Sequence, residues 1–184
     1  MAEDLEIADA PGGCGLTVGQ VPTEAELASF SREAERVGRR LVVGGIVTDG
    51  AGRIFLQRRS PSRALFPGAW DIVGGHAEEG EDACAALQRE VTEETGWRIA
   101  SLGPVVKLTD WRAGGVLRRE VDLLVTVEGD LNAPAIEVDK HDIWRWIDNA
   151  DPAVLAEART DGDDWLYTLI ESALSILNQT RFGR

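Results

Sequence analysis

A single mixed α/β domain is the fold class this 184-residue sequence predicts, and three observations predict it. Stretches that alternate with a period of two, such as "EVDLLVTV" (Glu120 to Val127), are interspersed with stretches whose apolar residues recur every three or four positions, such as "LASFSREAERV". A composition of 43% hydrophobic and 28% charged residues is enough for one buried core. No internal repeat, low-complexity tract or second composition class divides the chain.

The elements follow in order. Residues 1–22 carry Pro11, Gly12, Gly13, Gly15 and Gly19 and read as a loose extension or loop. Thr23 and Glu26 have capping-box spacing, Leu27, Phe30, Ala34 and Val37 share one face, and Gly38 ends the helix. Residues 1–38 are thus an N-terminal extension with one amphipathic helix packed on the domain, and residues 39–184 are the domain itself, C-terminal helices included. "LVVGGIVT" (Leu41 to Thr48) and "RIFLQRR" (Arg53 to Arg59) form a hairpin about Asp49 to Gly52, and "AWDIV" leads into Gly74 and Gly75. A helix runs from about Asp82 to Thr95 and stops at Gly96.

"WRIASLGPVVKLTDW" and "GVLRREVDLLVTVEG" are strands about the turn Ala113 to Gly115. In the second, Val121, Leu123, Val125 and Val127 alternate with Glu120, Asp122, Leu124 and Thr126, which predicts one buried face. "DIWRWI" (Asp142 to Ile147) is a further strand, before a helix capped by Asp151 with Pro152 as its first residue. A last helix from about Asp163 to Gln179 buries Trp165, Leu169, Ala173 and Ile176.

Charge and cysteine usage narrow the function. Nineteen Lys and Arg against 32 Asp and Glu leave a net charge of −13 and a pI near 4.6. Such a chain repels polyphosphate backbones, so no nucleic-acid polymer is expected as a partner, while a small anion held through metal ions is allowed. Cys14 and Cys84 lack ligand spacing and suit a reducing cytoplasm. The acidic start has no basic-then-apolar leader, and the apolar run Leu41 to Val47 is too short to span a bilayer, so no membrane association is expected. A homodimer is left open.

The helix before Gly96 carries the chemistry. On a wheel of about 100° per residue with Ala83 at zero, Ala86 and Leu87 fall near −60° and +40°, and Glu90, Glu93 and Glu94 near −20°, −80° and +20°. The core-facing stripe therefore turns acidic. Two like charges about 4 Å apart repel by about 4 kcal/mol at an effective dielectric near 20, so the triad must protonate or recruit a cation. Carboxylates suit Mg²⁺, with Mn²⁺ as an alternative, and Mg²⁺ bridges carboxylates to substrate phosphates. Arg89 lies one turn before Glu93, where it can hold that carboxylate.

The run Gly75 to Trp97, "GHAEEGEDACAALQREVTEETGW", resembles the Nudix box. Gly75, Glu81, Arg89, Glu90, Val91, Glu93, Glu94 and Gly96 match without a gap, and Trp97 is bulkier than the usual aliphatic residue there. The seven fixed residues would coincide by chance less than once in about ten million windows. The resemblance covers roughly Arg40 to Leu155 and implies the Nudix fold, an α/β/α sandwich with a central mixed sheet and a loop–helix–loop.

It also implies a Mg²⁺-dependent pyrophosphohydrolase that cleaves a nucleoside diphosphate linked to a moiety X by water attack on phosphorus. The implied metal ligands are Glu90 and Glu94, Glu93 directly or through water, and the Gly75 carbonyl. Glu81 would hold the loop to the helix N-terminus. For the base, Glu93 of the box competes with Glu137 and His141 of the loop "EVDKHD". Arg58 and Arg59 suit phosphate, although alternation lets only one of them share a face with Leu56. His76 suits phosphate or loop structure, and among the tryptophans Trp111 is the one placed for stacking.

Two other readings remain. The stretch "FLQRRSPSRALFPGAWDIVGGH" is similar to isopentenyl diphosphate isomerases, but those carry a cysteine two residues before the loop histidine, where this chain has Gly74. A non-catalytic nucleotide-sensing module usually loses box glutamates, and here all are kept.

Overall fold

The computed structural model describes residues 6–10, 15–159 and 163–182, so Cys14 and the Pro11 to Gly13 stretch lie outside the described residues. β1 (Glu6–Asp9) precedes α1 (Glu24–Arg36), after which β2 (Arg40–Thr48), β3 (Ile54–Arg59), β4 (Trp70–Asp71) and β5 (Val73–His76) lead to α2 (Ala83–Thr95). β6 (Arg98–Ala113), β7 (Val116–Glu128) and β8 (His141–Ile147) follow, then the short α3 (Pro152–Leu155) and α4 (Trp165–Phe182).

The eight strands form one sheet in the order β1-β6-β7-β2-β3-β4, with β5 paired to β2 and β8 to β3. Of these strand pairs only β2 and β7 run parallel; the others are antiparallel. β2 has β7 along one edge and must share the other. β5 pairs with its first half, from Val42↔His76 to Gly45↔Val73, and β3 meets it only at Thr48↔Ile54. The sheet therefore divides between β3 and β5, and the division positions the site.

Both faces of the undivided sheet are covered. On one, Val43, Val47, Val121, Leu123 and Val125 pack against Leu27, Phe30 and Ala34 of α1 and Ala86, Leu87 and Val91 of α2. On the other, Ile46, Ile72 and Leu124 pack against Leu155 of α3 and Leu166, Leu169, Ile170 and Ala173 of α4. Burying Leu27 or Phe30 completely contributes about 1.5–3 kcal/mol each, which fastens α1 to the domain.

Local rules fix the helix ends. Glu26 N donates to Thr23 Oγ1 at 3.2 Å and Thr23 N to Glu26 Oε2 at 2.7 Å, which is the expected capping box. Asp82 caps α2 by accepting from Ala85 N, and Gly96 closes it in the left-handed region at φ 72. The bulky Trp97 is fully accommodated: its Nε1 donates to Asp130 O, and a Cβ on Gly129 would fall 2.4 Å from its ring.

Three expectations are corrected. Residues 6–9, expected as loose chain, form an edge strand on β6, with Ile7 opposite Trp111; Leu16 joins the core and Gly19 N donates to Val105 O. β7 is buried on both faces rather than one, because α4 covers Leu124 while Glu120 and Asp122 are enclosed within the molecule. In α4 the deepest residues include Leu166 and Ile170, so the buried face is rotated from the expected one and Trp165 and Ile176 are only half-buried. Among the described residues no helix is long and apolar enough to cross a membrane.

Candidate active site

A cavity of about 690 Å³ opens where the sheet divides. α2 packs its first turns under the sheet and brings its last two turns to the division, so the glutamates emerge there. Glu94 fills the gap itself. Its Oε2 accepts from Gly74 N of β5 at 3.1 Å and from Gln57 Nε2 of β3, one donor from each side of the split. Glu90, one turn earlier, lies against Gly75 so closely that a Cβ there would sit 2.4 Å from Glu90 Oε1. Both glutamates are buried, and Glu90 Oε2 has no hydrogen-bond donor.

Arg89 ties the group together. It donates to Glu81 (3.0 Å), Glu90 Oε1 (2.8 Å), Glu93 Oε2 (3.1 Å) and His76 O (3.0 Å). Glu81 accepts in addition from Glu78 N, so it braces Arg89 and the loop, while the helix N-terminus is held by Asp82. Lys140, from the loop that carries Glu137, places its Nζ 2.9 Å from Glu137 Oε2 and 3.9 Å from both Glu90 Oε2 and Glu94 Oε1. An ammonium thus stands among three carboxylates.

Electrostatics mark the same spot. Burial, and then the charge of Glu90, push the Glu94 carboxyl up to about 8 despite the Gly74, Gln57 and Lys140 donors. The Lys140 ammonium is drawn down by burial but raised on balance by Glu137, Glu94 and Glu90. Among the described residues no group of three acidic, histidine or cysteine side chains is close enough to hold a metal ion; Arg89 is bonded to Glu90 Oε1 and Glu93 Oε2, while Lys140 stands 3.9 Å from Glu90 Oε2 and Glu94 Oε1. The donor set nevertheless suits a hard divalent cation: buried carboxylates, one oxygen without a donor, and a cationic side chain in their midst.

The other sequence-selected residues divide. Arg59 lines the cavity, bonded to Asp71 and to Leu65 O, whereas Arg58 does not line it and donates two hydrogen bonds to Asp142. His76 lines the cavity as a neutral ring: burial, then Arg40 and Arg118, bring its pKa down to about 4, and its Nε2 accepts from Arg118 Nε at 2.8 Å. His141 also lines the cavity and is likewise held to about 4 by burial. Trp111 lines the far end, with Arg118 4.4 Å over its ring and Nε1 donating to Glu120 Oε2 at 2.6 Å.

Lys140, Gln57, Thr109 and Glu120 belong to this cavity or its walls, and no motif in the sequence marks them out. Glu120 and Asp122 do carry a readable signal, since two acids in a strand flanked by Val and Leu are unusual. Simple alternation assigns them to solvent.

Comparison with known proteins agrees with this architecture. The NUDIX domain profile matches residues 38–169. The chain belongs to the Nudix family. It is 40% identical over 72 residues to the RNA pyrophosphohydrolase of Dinoroseobacter shibae, covering 39% of this chain and 43% of that one. It is 29% identical over 156 residues to the isopentenyl-diphosphate Delta-isomerase of Frankia alni, covering 76% and 78%. The first of these and several others are matched over about half their length. Among solved structures, the MutT protein from Methanosarcina mazei Go1 superposes with a TM-score of 0.56 at 16% identity, covering 78% of this chain and 95% of that one. That likeness supports the mixed central sheet flanked by helices, the Nudix fold.

Proposed function

We propose that this Nudix protein is a Mg²⁺-dependent pyrophosphohydrolase acting on a nucleoside triphosphate or a nucleoside diphosphate linked to X. One observation carries the reading: Glu90 and Glu94 are buried side by side at the sheet division, with an orphaned oxygen on Glu90 that stands 3.9 Å from the Lys140 ammonium. Glu90, Glu94, the Gly75 carbonyl and Glu93 are the groups that would hold the metal, with Mn²⁺ as a substitute. When bound, the cation neutralises charge that builds on the phosphate oxygens.

The chain's own residues do the rest. Arg89 orients Glu90 and Glu93, and Glu81 orients Arg89. Glu93 and Glu137 are the partly exposed acids of the group, at 48% and 37% side-chain exposure, so a water can reach either as base. His141 is buried and its pKa is brought down to about 4, which makes it a weak base at neutral pH. Arg59 supplies a guanidinium toward phosphate. The small-nucleotide preference rests on the net charge of −13.

The isomerase reading is disfavoured by backbone packing. A Cβ on Gly74 would lie 2.2 Å from Val43 O, so the cysteine of those enzymes has no room at this position. The test is a panel of nucleotides, nucleotide derivatives, isopentenyl diphosphate and a triphosphate-ended RNA, with products resolved by mass. Release of phosphate or pyrophosphate that requires Mg²⁺ and is lost in Glu94→Gln supports the proposal. Binding without turnover would favour the sensing module, and turnover of isopentenyl diphosphate alone would overturn it.

A further inference from the structure

The end of the cavity away from the box is lined by side-chain oxygens. Thr109, Glu120, Val42 and His76 follow one another across β6, β7, β2 and β5 in paired register, so they share one face of the sheet. Thr109 is 0% exposed, lines the cavity, and its Oγ1 has no hydrogen-bond partner. Glu120 lines the cavity beside it and takes an N–H from Trp111, although a carboxylate can accept about four hydrogen bonds. Behind Glu120, Asp122 is fully buried with neither oxygen bonded to a donor, filling the space that Gly44 leaves open: a Cβ there would lie 2.1 Å from Asp122 Oδ1.

The nearby guanidinium donors are partly committed. Arg118 uses its Nε on His76 and its Nη1 on Ala113 O and Val116 O, while it stacks on Trp111. Arg59 is bonded to Asp71 and Leu65 O. Lys107 stands opposite Asp122 in the β6–β7 pairing but does not line the cavity. A group entering this end therefore meets one aromatic ring and several oxygens. A ring bearing an amino group completes that arrangement, whereas a ring presenting a carbonyl at the same position sets its oxygen against the Glu120 carboxylate.

Spacing links this end to the phosphates. Glu120 is two strands from β5, by way of β2, and adjacent strands lie about 4.8 Å apart, so it stands about 10 Å across the sheet from the β5 backbone where the box begins. A sugar bridges such a gap between phosphate and base.

The geometry points to Thr109, Glu120 and Trp111 as a base-selecting subsite that takes a nucleobase with an exocyclic amine, adenine, cytosine or guanine, in preference to an oxo counterpart that lacks it. This inference rests on the pyrophosphohydrolase reading above. Trp111 provides the platform, and Glu120 and Thr109 accept from the exocyclic amine. An unmatched buried acceptor costs about 1–3 kcal/mol, so discrimination is expected at about tenfold to a hundredfold in kcat/KM.

The test compares pairs that gain or lose the exocyclic amine: guanosine triphosphate with inosine triphosphate, which differ in nothing else, and ATP with inosine triphosphate and CTP with uridine triphosphate, in which the neighbouring ring nitrogen also changes from acceptor to N–H donor. The wild type is expected to favour the amino member of each pair by that factor. Glu120→Gln can donate as well as accept, keeps an acceptor for Trp111, and is expected to level or reverse the preference; Thr109→Val, which removes only the hydroxyl, is expected to weaken it. Titration of the metal-free protein with the same nucleotides, read by tryptophan fluorescence, measures the preference independently of turnover. Equal kcat/KM and equal binding within each pair would overturn the subsite while leaving the hydrolase reading intact. No turnover of any nucleotide with Mg²⁺, alongside a retained binding preference, would instead remove the hydrolase reading.

Discussion

Two groups of carboxylates lie at the cleft, and they are balanced in different ways. At the sheet division, Glu81, Glu90, Glu93 and Glu94 are threaded by Arg89 and approached by Lys140, so positive charge reaches every acid of the group. On β7, Glu120 takes an indole N–H, and Asp122 has no donor on either oxygen. Burial, and then Asp71, raise the Glu120 carboxyl to about 7, and burial with Glu120 raises Asp122 well above the usual carboxylate range. The first group is thus balanced by cationic side chains, and the second by burial that favours its protonated form. Net charge per residue cannot distinguish them; only the partners do.

The largest expected effect breaks the first group. Glu94→Gln keeps the contacts to Gly74 and Gln57 in outline but removes a buried charge, and should lower Mg²⁺-dependent kcat by about 10²–10³-fold in single-substrate kinetics. If kcat is unchanged, the cation is held elsewhere. Glu81→Gln acts one step back, through Arg89, and should weaken Mn²⁺ binding measured by electron paramagnetic resonance by about tenfold or more. On the opposite side, Gly44→Ala drives a methyl into Asp122 and Ile72 and should cost about 1–3 kcal/mol in urea unfolding.

pH separates the groups more gently. Glu120 and Asp122 bind protons more tightly in the folded chain, so their contribution to stability grows as pH falls from about 7 toward the ordinary carboxylate range. His76 and His141 bind protons less tightly when folded, so stability is lost as pH falls from 6.5 toward 4. The two effects offset each other between about pH 4 and 6.5, so the metal-free protein should lose Tm mainly on the alkaline side, as pH rises above about 6.5. Glu120→Gln should flatten that loss, and Mg²⁺ should flatten the part due to Glu94, whose pKa is about 8. The smallest effect is expected for Lys140→Met, which removes the resident cation and should tighten Mn²⁺ binding about threefold, a gain of about 0.6 kcal/mol. Weaker binding in that variant would mean Lys140 organises the acids rather than competing for them.

How far the sequence leads differs between the same two groups. The box announces itself because its residues are close in the chain and helical geometry relates them, so Glu90, Glu93, Glu94 and Arg89 are legible together with the caps Thr23, Asp82 and Gly96. Glu120 reads as solvent-facing because alternation in a strand reports a change of face, not what covers it. The cover on that face comes from α4 and from loops distant in the chain. The separation of Arg59 from Arg58 follows from alternation, but which of them enters the cleft depends on the pairing of β3 with β8. The strand at residues 6–9 is hidden by the glycines and proline after it.

Trp97 and Gly129 tie one departure in the frame of the site to another. The indole sits where a smaller aliphatic is usual, and it fits because the facing residue has no side chain. Neither position can drift alone: a side chain at 129 meets the ring, and a shorter residue at 97 leaves a void beneath the Phe55 and Trp146 rings that pack on it. The two should be inherited as a pair, and chains that regain an aliphatic residue at the end of the box should be the ones in which the glycine is free to change.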